Sequence, residues 1–92
     1  MDAQHHARVT ICNGRGLHAR ASARFVKCVE GFDASVSVSR DGQTVGGTSI
    51  MGLMMLGAAK GCDVDFVSEG AQAAEVMAAL VALVQSGFGE AD

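Results

Sequence analysis

Ninety-two residues, 49% of them apolar, with a net charge of −3, bound the chain to one small globular domain with a single core, and exclude a disordered polymer. No apolar run approaches the roughly 20 residues of a membrane span, and Met1-Asp2-Ala3-Gln4-His5-His6 lacks the apolar core of a signal peptide. Cys12, Cys28 and Cys62 are odd in number and have no CxxC spacing, which fits reduced thiols in a cytoplasmic protein better than a disulfide framework. Four aromatic residues and a net negative charge speak against a nucleic-acid binder.

In chain order, Ala7 to Cys12 alternates, with Ala7, Val9 and Ile11 on one face, and predicts a strand with one buried side. Asn13-Gly14-Arg15-Gly16-Leu17-His18 follows, and a helix-forming run begins at Ala19. That helix extends to Glu30, buries Ser22, Phe25, Val26 and Val29, and stops at Gly31. Arg20, Arg24 and Lys27 fall at i, i+4 and i+7 on its solvent face. Ala34, Val36 and Val38 alternate with serines, Asp41-Gly42 gives a tight turn, and Gln43 to Gly46 returns as the second arm of a hairpin. Ser49 to Leu56 predicts a short apolar helix closed by Gly57. Cys62 to Val67 alternates as a last strand. Ala71 to about Ser86 predicts a final helix with Val76, Met77, Leu80, Leu83 and Val84 inward. Residues 1–6, His5 and His6 included, and residues 89–92 are expected to be flexible tails of this one domain.

The order β-α-β-β-α-β-α, with half-buried strands, implies a two-layer α+β sandwich with helices on one face. The first helix should cross over right-handedly, leaving room for another strand between the first two.

The chemistry centres on His18. Two glycines lead into it and a helix starts behind it, so its imidazole sits among backbone N–H groups that lack intrahelical partners, those of Ala19 and Arg20 first. Arg20 adds a guanidinium suited to phosphate oxygens. A histidine that carries a phosphoryl group needs such surroundings: a ring nitrogen as nucleophile and fixed donors for the dianion. Charge is segregated as well. Ala3 to Val29 holds five bases (Arg8, Arg15, Arg20, Arg24, Lys27) and no acid, whereas Gly61 to Asp92 holds six acids and no base. This predicts a basic patch around His18 that meets an anion or an acidic partner. The competing reading is a small ligand- or soft-metal-binding α+β module without a phosphate relay. The paired Cys, Met or His such a metal site wants on one loop are absent.

Gly16-Leu17-His18-Ala19-Arg20, followed by Ala21-Ser22-Ala23-Arg24-Phe25-Val26, resembles the active-site signature of the histidine-containing phosphocarrier (HPr) family of the bacterial phosphoenolpyruvate-dependent phosphotransferase system. Thr48-Ser49-Ile50-Met51-Gly52-Leu53-Met54-Met55-Leu56-Gly57-Ala58-Ala59-Lys60-Gly61 resembles that family's regulatory-serine segment. The resemblance implies an open-faced β-sandwich with antiparallel strand order 1-4-2-3 under three helices. It implies a phosphoryl group passed from Enzyme I to His18, at Nδ1, and on to an EIIA-type protein, with Arg20 assisting by charge and no cofactor. It implies Ser49 as the target of an ATP-dependent HPr kinase, and Ile50, Met51 and Met54, with Arg24 and Lys27, as the docking surface of a monomer. Leu53 and Leu56 are the better core candidates of that helix. In the family a proline usually follows the arginine; here Ala21 stands there. Sugar uptake and nitrogen-related regulation both remain open as the end of the relay.

Overall fold

A computed structural model describes residues 4–90. Four strands form one antiparallel sheet in the order β1-β4-β2-β3: β1 (His5–Thr10), β2 (Ser35–Arg40), β3 (Gln43–Gly46) and β4 (Asp63–Glu69). Three helices, α1 (Ala19–Glu30), α2 (Ile50–Met55) and α3 (Ala73–Gln85), supply the second layer, and a 3-10 turn, Gly87–Gly89, ends the described chain. The fold is the open-faced sandwich that the resemblance implies. The strand between β1 and β2 is β4, antiparallel to both.

Alternation places one residue in two under the helices. Val9, Val64, Phe66, Val36 and Val38 point inward and are buried. Phe25, Val26 and Val29 of α1 and Val76, Leu80 and Val84 of α3 close over them. Phe25 meets Phe66 edge to face, with ring centroids 5.3 Å apart, a geometry that adds about 1 kcal/mol beyond burial. The β2–β3 hairpin turns on Asp41 and Gly42, with φ of 50° and 80°. Two successive positive φ values match the right-handed strand twist, which is why Asp-Gly serves there. Cys12, Cys28 and Cys62 are free thiols, and partial burial pushes that of Cys28 above its ordinary pKa.

Both expected tails need correction. His5 and His6 belong to β1, opposite Ser68 and Val67 of β4. β4 runs to Glu69, so backbone ladder partners are available two residues before the apolar alternation starts. At the other end Gly89 and Glu90 fold back onto the domain, because Phe88 between them and the helix is buried. The rest of the expected tails, residues 1–3 and 91–92, lies outside the described residues. Ile11 stays inward although β1 ends at Thr10: its N–H donates to the Cys62 carbonyl at 2.9 Å, and its own carbonyl accepts from Gly61 at 2.8 Å.

Candidate functional site

The loop between β1 and α1 is tied down before it reaches His18. Gly16 has φ +63°, and a Cβ there would run into the backbone of Ala58 and come within 2.8 Å of the Ala59 Cα. Only glycine meets both demands. Leu17 is buried, and its N–H donates to the Ala58 carbonyl at 2.9 Å, so the segment leaving α2 supports the loop. The Leu17 carbonyl accepts from the buried Ser22 hydroxyl at 3.2 Å. Asn13 is buried too, and its Nδ2 donates to the Gly16 carbonyl at 2.8 Å.

His18 is the N-cap of α1. Its backbone is extended, and its carbonyl accepts the first helical bond, from Ser22 N–H, at 2.9 Å. Its Nδ1 accepts from the Arg20 N–H at 3.2 Å. The other ring nitrogen, Nε2, bonds Oε2 of Glu90. With Nδ1 accepting, the neutral ring must carry its proton on Nε2 and donate it to the carboxylate; the tautomer is assigned from these partners. Glu90 Oε1 accepts a second bond, from Asn13 Nδ2 at 3.1 Å. The His18 bond first, and the Asn13 bond after it, hold the Glu90 carboxyl below its ordinary pKa, with the charge of Arg24 adding to them. The side chains of His18 and Glu90 are 22% and 15% exposed. The ring is therefore held on both nitrogens yet open to a partner.

Arg20 is exposed, and its guanidinium makes no hydrogen bond or ion pair among the described residues. Lys27 is exposed on the same helix. Arg24 is spent differently: Nη1 donates to the Phe88 carbonyl and pins the C-terminal turn. The basic patch also loses Arg8, which strand alternation sends to the open face of the sheet, where it pairs with Asp65 at 2.9 Å. One acid of the C-terminal half enters the patch in its place, at Glu90.

α2 presents the second motif. Ser49 is its N-cap, with Oγ accepting from Gly52 N–H at 2.9 Å. Leu53 and Leu56 are buried, whereas Ile50, Met51, Met54 and also Met55 are exposed, the last at 75%. The exposure of Met55 was not anticipated from the sequence, and neither were the roles of Asn13 and Glu90. The available signal was Gly87-Phe88-Gly89-Glu90: a large apolar residue between two glycines, just past a helix, is poor material for a solvated tail. Among the described residues there is no cluster of three or more His, Cys, Asp or Glu side chains that could hold a metal, and no helix long and apolar enough to cross a membrane.

A histidine capping a helix N-terminus, on an open-faced α+β sandwich, is the arrangement a small phosphoryl carrier needs. Residues 5–86 match the family model of the PTS HPr component phosphorylation site. The chain is 45% identical over 84 residues to a phosphocarrier protein HPr of Neisseria meningitidis, covering 91% of this chain and 94% of the relative. It is 39% identical over 83 residues to the phosphocarrier protein NPr of Escherichia coli K12, covering 89% and 92%. It superposes on the crystal structure of HPr-C-His from Thermoanaerobacter tengcongensis with a TM-score of 0.90 at 39% identity, over 96% of this chain and 99% of that one. The protein belongs to the HPr family and is a phosphocarrier of the phosphotransferase system. Its partners are, in general terms, the Enzyme I and EIIA proteins of that system.

Proposed function

We propose that His18 is the residue that carries the phosphoryl group, accepting it on Nδ1 from phosphorylated Enzyme I and passing it to an EIIA-type protein. The observation that carries this reading is the placement of Nδ1 at the α1 N-terminus, 3.2 Å from the Arg20 amide. Before transfer that N–H caps the ring; after transfer it, and the Ala19 N–H beside it, donate to the phosphate oxygens. The unengaged Arg20 guanidinium swings to the same oxygens and offsets charge on the group in flight. Ile50, Met51 and Met54, with Lys27 and the exposed flank of Arg24, form the docking face of a monomer working in the cytoplasm. Flexible methionines suit a face that meets more than one partner. Ser49 is the site at which an ATP-dependent kinase switches that face by adding about two negative charges.

The test is incubation with phosphoenolpyruvate and Enzyme I. The expected result is a mass gain of one phosphate that is acid-labile and base-stable, lost in His18→Ala. An undiminished gain in His18→Ala would refute the assignment.

A further inference from the structure

Glu90 lies 72 residues from His18 in sequence, in a stretch without helix or strand, yet both of its carboxylate oxygens are engaged at the site. Four features bring it there. Phe88 is buried and anchors the C-terminal strap. Gly87, Phe88 and Gly89 have φ of 67°, 58° and 70°, and three successive left-handed residues reverse the chain at the end of α3. Arg24 Nη1 holds the Phe88 carbonyl. Asn13, itself buried and bonded to the Gly16 carbonyl, holds Glu90 Oε1. A non-glycine residue in the left-handed region is costly, and it persists here because its neighbours leave it no alternative.

The chemistry of the transfer gives this construction a use. Resting on the reading of His18 given above, the step is as follows. The Nδ1 lone pair attacks the phosphorus of the phosphorylated donor. An N–P bond forms at His18 as the donor's N–P bond breaks, and the donor ring keeps that electron pair. The His18 ring retains its Nε2 proton and so becomes positively charged while it carries the phosphoryl group. The helix N-terminus opposes a positive ring. Glu90, bonded to Nε2, favours it, whereas the cations Arg20 and Arg24 on the same helix oppose it.

We propose that Glu90 is a positioning residue for phosphoryl transfer: it aims His18 by accepting the Nε2 proton bond and offsets the charge the ring acquires while the phosphoryl group sits on Nδ1. Onward transfer reverses the events, and the ring leaves as a neutral imidazole with Nε2–H still on Glu90. The positively charged ring is the better leaving group, so the carboxylate assists departure as well as arrival.

The experiment compares full-length wild type, Glu90→Gln and Glu90→Ala, with phosphoenolpyruvate and Enzyme I as the phosphoryl source. Glutamine can still accept the Nε2–H bond through its one carbonyl oxygen but lacks the charge, and its NH2 group then faces the Asn13 Nδ2 donor, so Asn13→Ala is measured alongside to give the cost of losing the Asn13 bond with the charge kept. Glu90→Gln is expected to melt slightly below wild type, as Asn13→Ala does, and to accept phosphate about tenfold more slowly than Asn13→Ala at saturating Enzyme I with little change in KM, the size of losing one charge-assisted bond. The pH profile for hydrolysis of its phosphorylated form should move to lower pH. Glu90→Ala should show both effects, and exchange of the His18 Nε2 proton with water should be faster in it than in wild type by NMR. A Glu90→Gln protein that matches wild type in saturated rate and hydrolysis profile would reduce Glu90 to a latch and overturn the proposal. If wild type itself took no phosphate on His18, the reading beneath it would fall too, and the wild-type control tells the two failures apart.

Discussion

Two helices of this protein begin with a side-chain cap, and they differ in what stands behind the cap. At α2, Ser49 Oγ accepts from Gly52 N–H at 2.9 Å, and that is its one side-chain bond among the described residues. At α1, His18 Nδ1 accepts from Arg20 N–H at 3.2 Å while Nε2 is held by Glu90, which Asn13 and the strap hold in turn. A hydroxyl rotates freely, which suits the kinase site proposed above for Ser49. On the function proposed above, an imidazole that receives and releases the same group repeatedly profits from a fixed orientation. Local sequence supplies the first cap entirely; distant residues complete the second.

Removing the strap breaks the comparison most strongly. Phe88→Ala empties a buried ring site and should cost about 3–5 kcal/mol in denaturant unfolding. Amide exchange should rise at Arg20 and far less at Gly52; an equal rise at both would mean that the strap supports the whole fold and not the His18 cap. Arg20→Ala comes next. It should slow saturated transfer by about 100-fold, as loss of a donor to developing charge does in other sites. If KM alone changes, Arg20 docks partners instead.

The Ser49 cap is sharpened by a pair of variants. Ser49→Asp keeps a good cap, so melting should stay near wild type, while transfer from Enzyme I slows by about tenfold and recovers with salt. Ser49→Ala should lose about 1 kcal/mol of stability and transfer normally. The opposite pattern would leave Ser49 a structural cap.

Acid should distinguish the two caps as well. The Glu90 carboxyl is held below its ordinary value of 4.5, chiefly by the bond from His18. A depressed carboxyl contributes stability above its unfolded pKa and loses it as pH falls through the lower folded value. The strap should therefore release below pH 4.5, seen as faster exchange at the Glu90 N–H, which donates to the Gly87 carbonyl, whereas Ser49 and Gly52 carry no titrating group and should not respond. The smallest effect is expected from Ala21→Pro. Ala21 N–H precedes the first helical bond, made by Ser22, so a proline forfeits nothing there. Ala21 is fully buried, and the ring must fit against its neighbours. Stability should move within about 1 kcal/mol, and transfer should persist; unfolding would show that the pocket is closed to two more carbons.

By itself the sequence determined whatever depends on neighbours in the chain. Gly16 before His18, the apolar stripe of α1, Asp41-Gly42 in the hairpin and Ser49 before α2 each act within one or two turns of backbone, where steric and hydrogen-bond rules apply directly. The motifs around His18 and Ser49 were legible for the same reason, and through them the family. Only the tertiary structure decided what pairs distant segments. Ladder partners on β4 extended β1 to His5 and His6. Strand alternation took Arg8 away from the patch. Burial of Phe88 turned an apparent tail into a strap, took up the Arg24 guanidinium and set Glu90 on His18. A carboxylate beyond the last helix has no local rule that assigns it a partner; it finds one only when a buried side chain and a reversal of the backbone fix the position of its own segment.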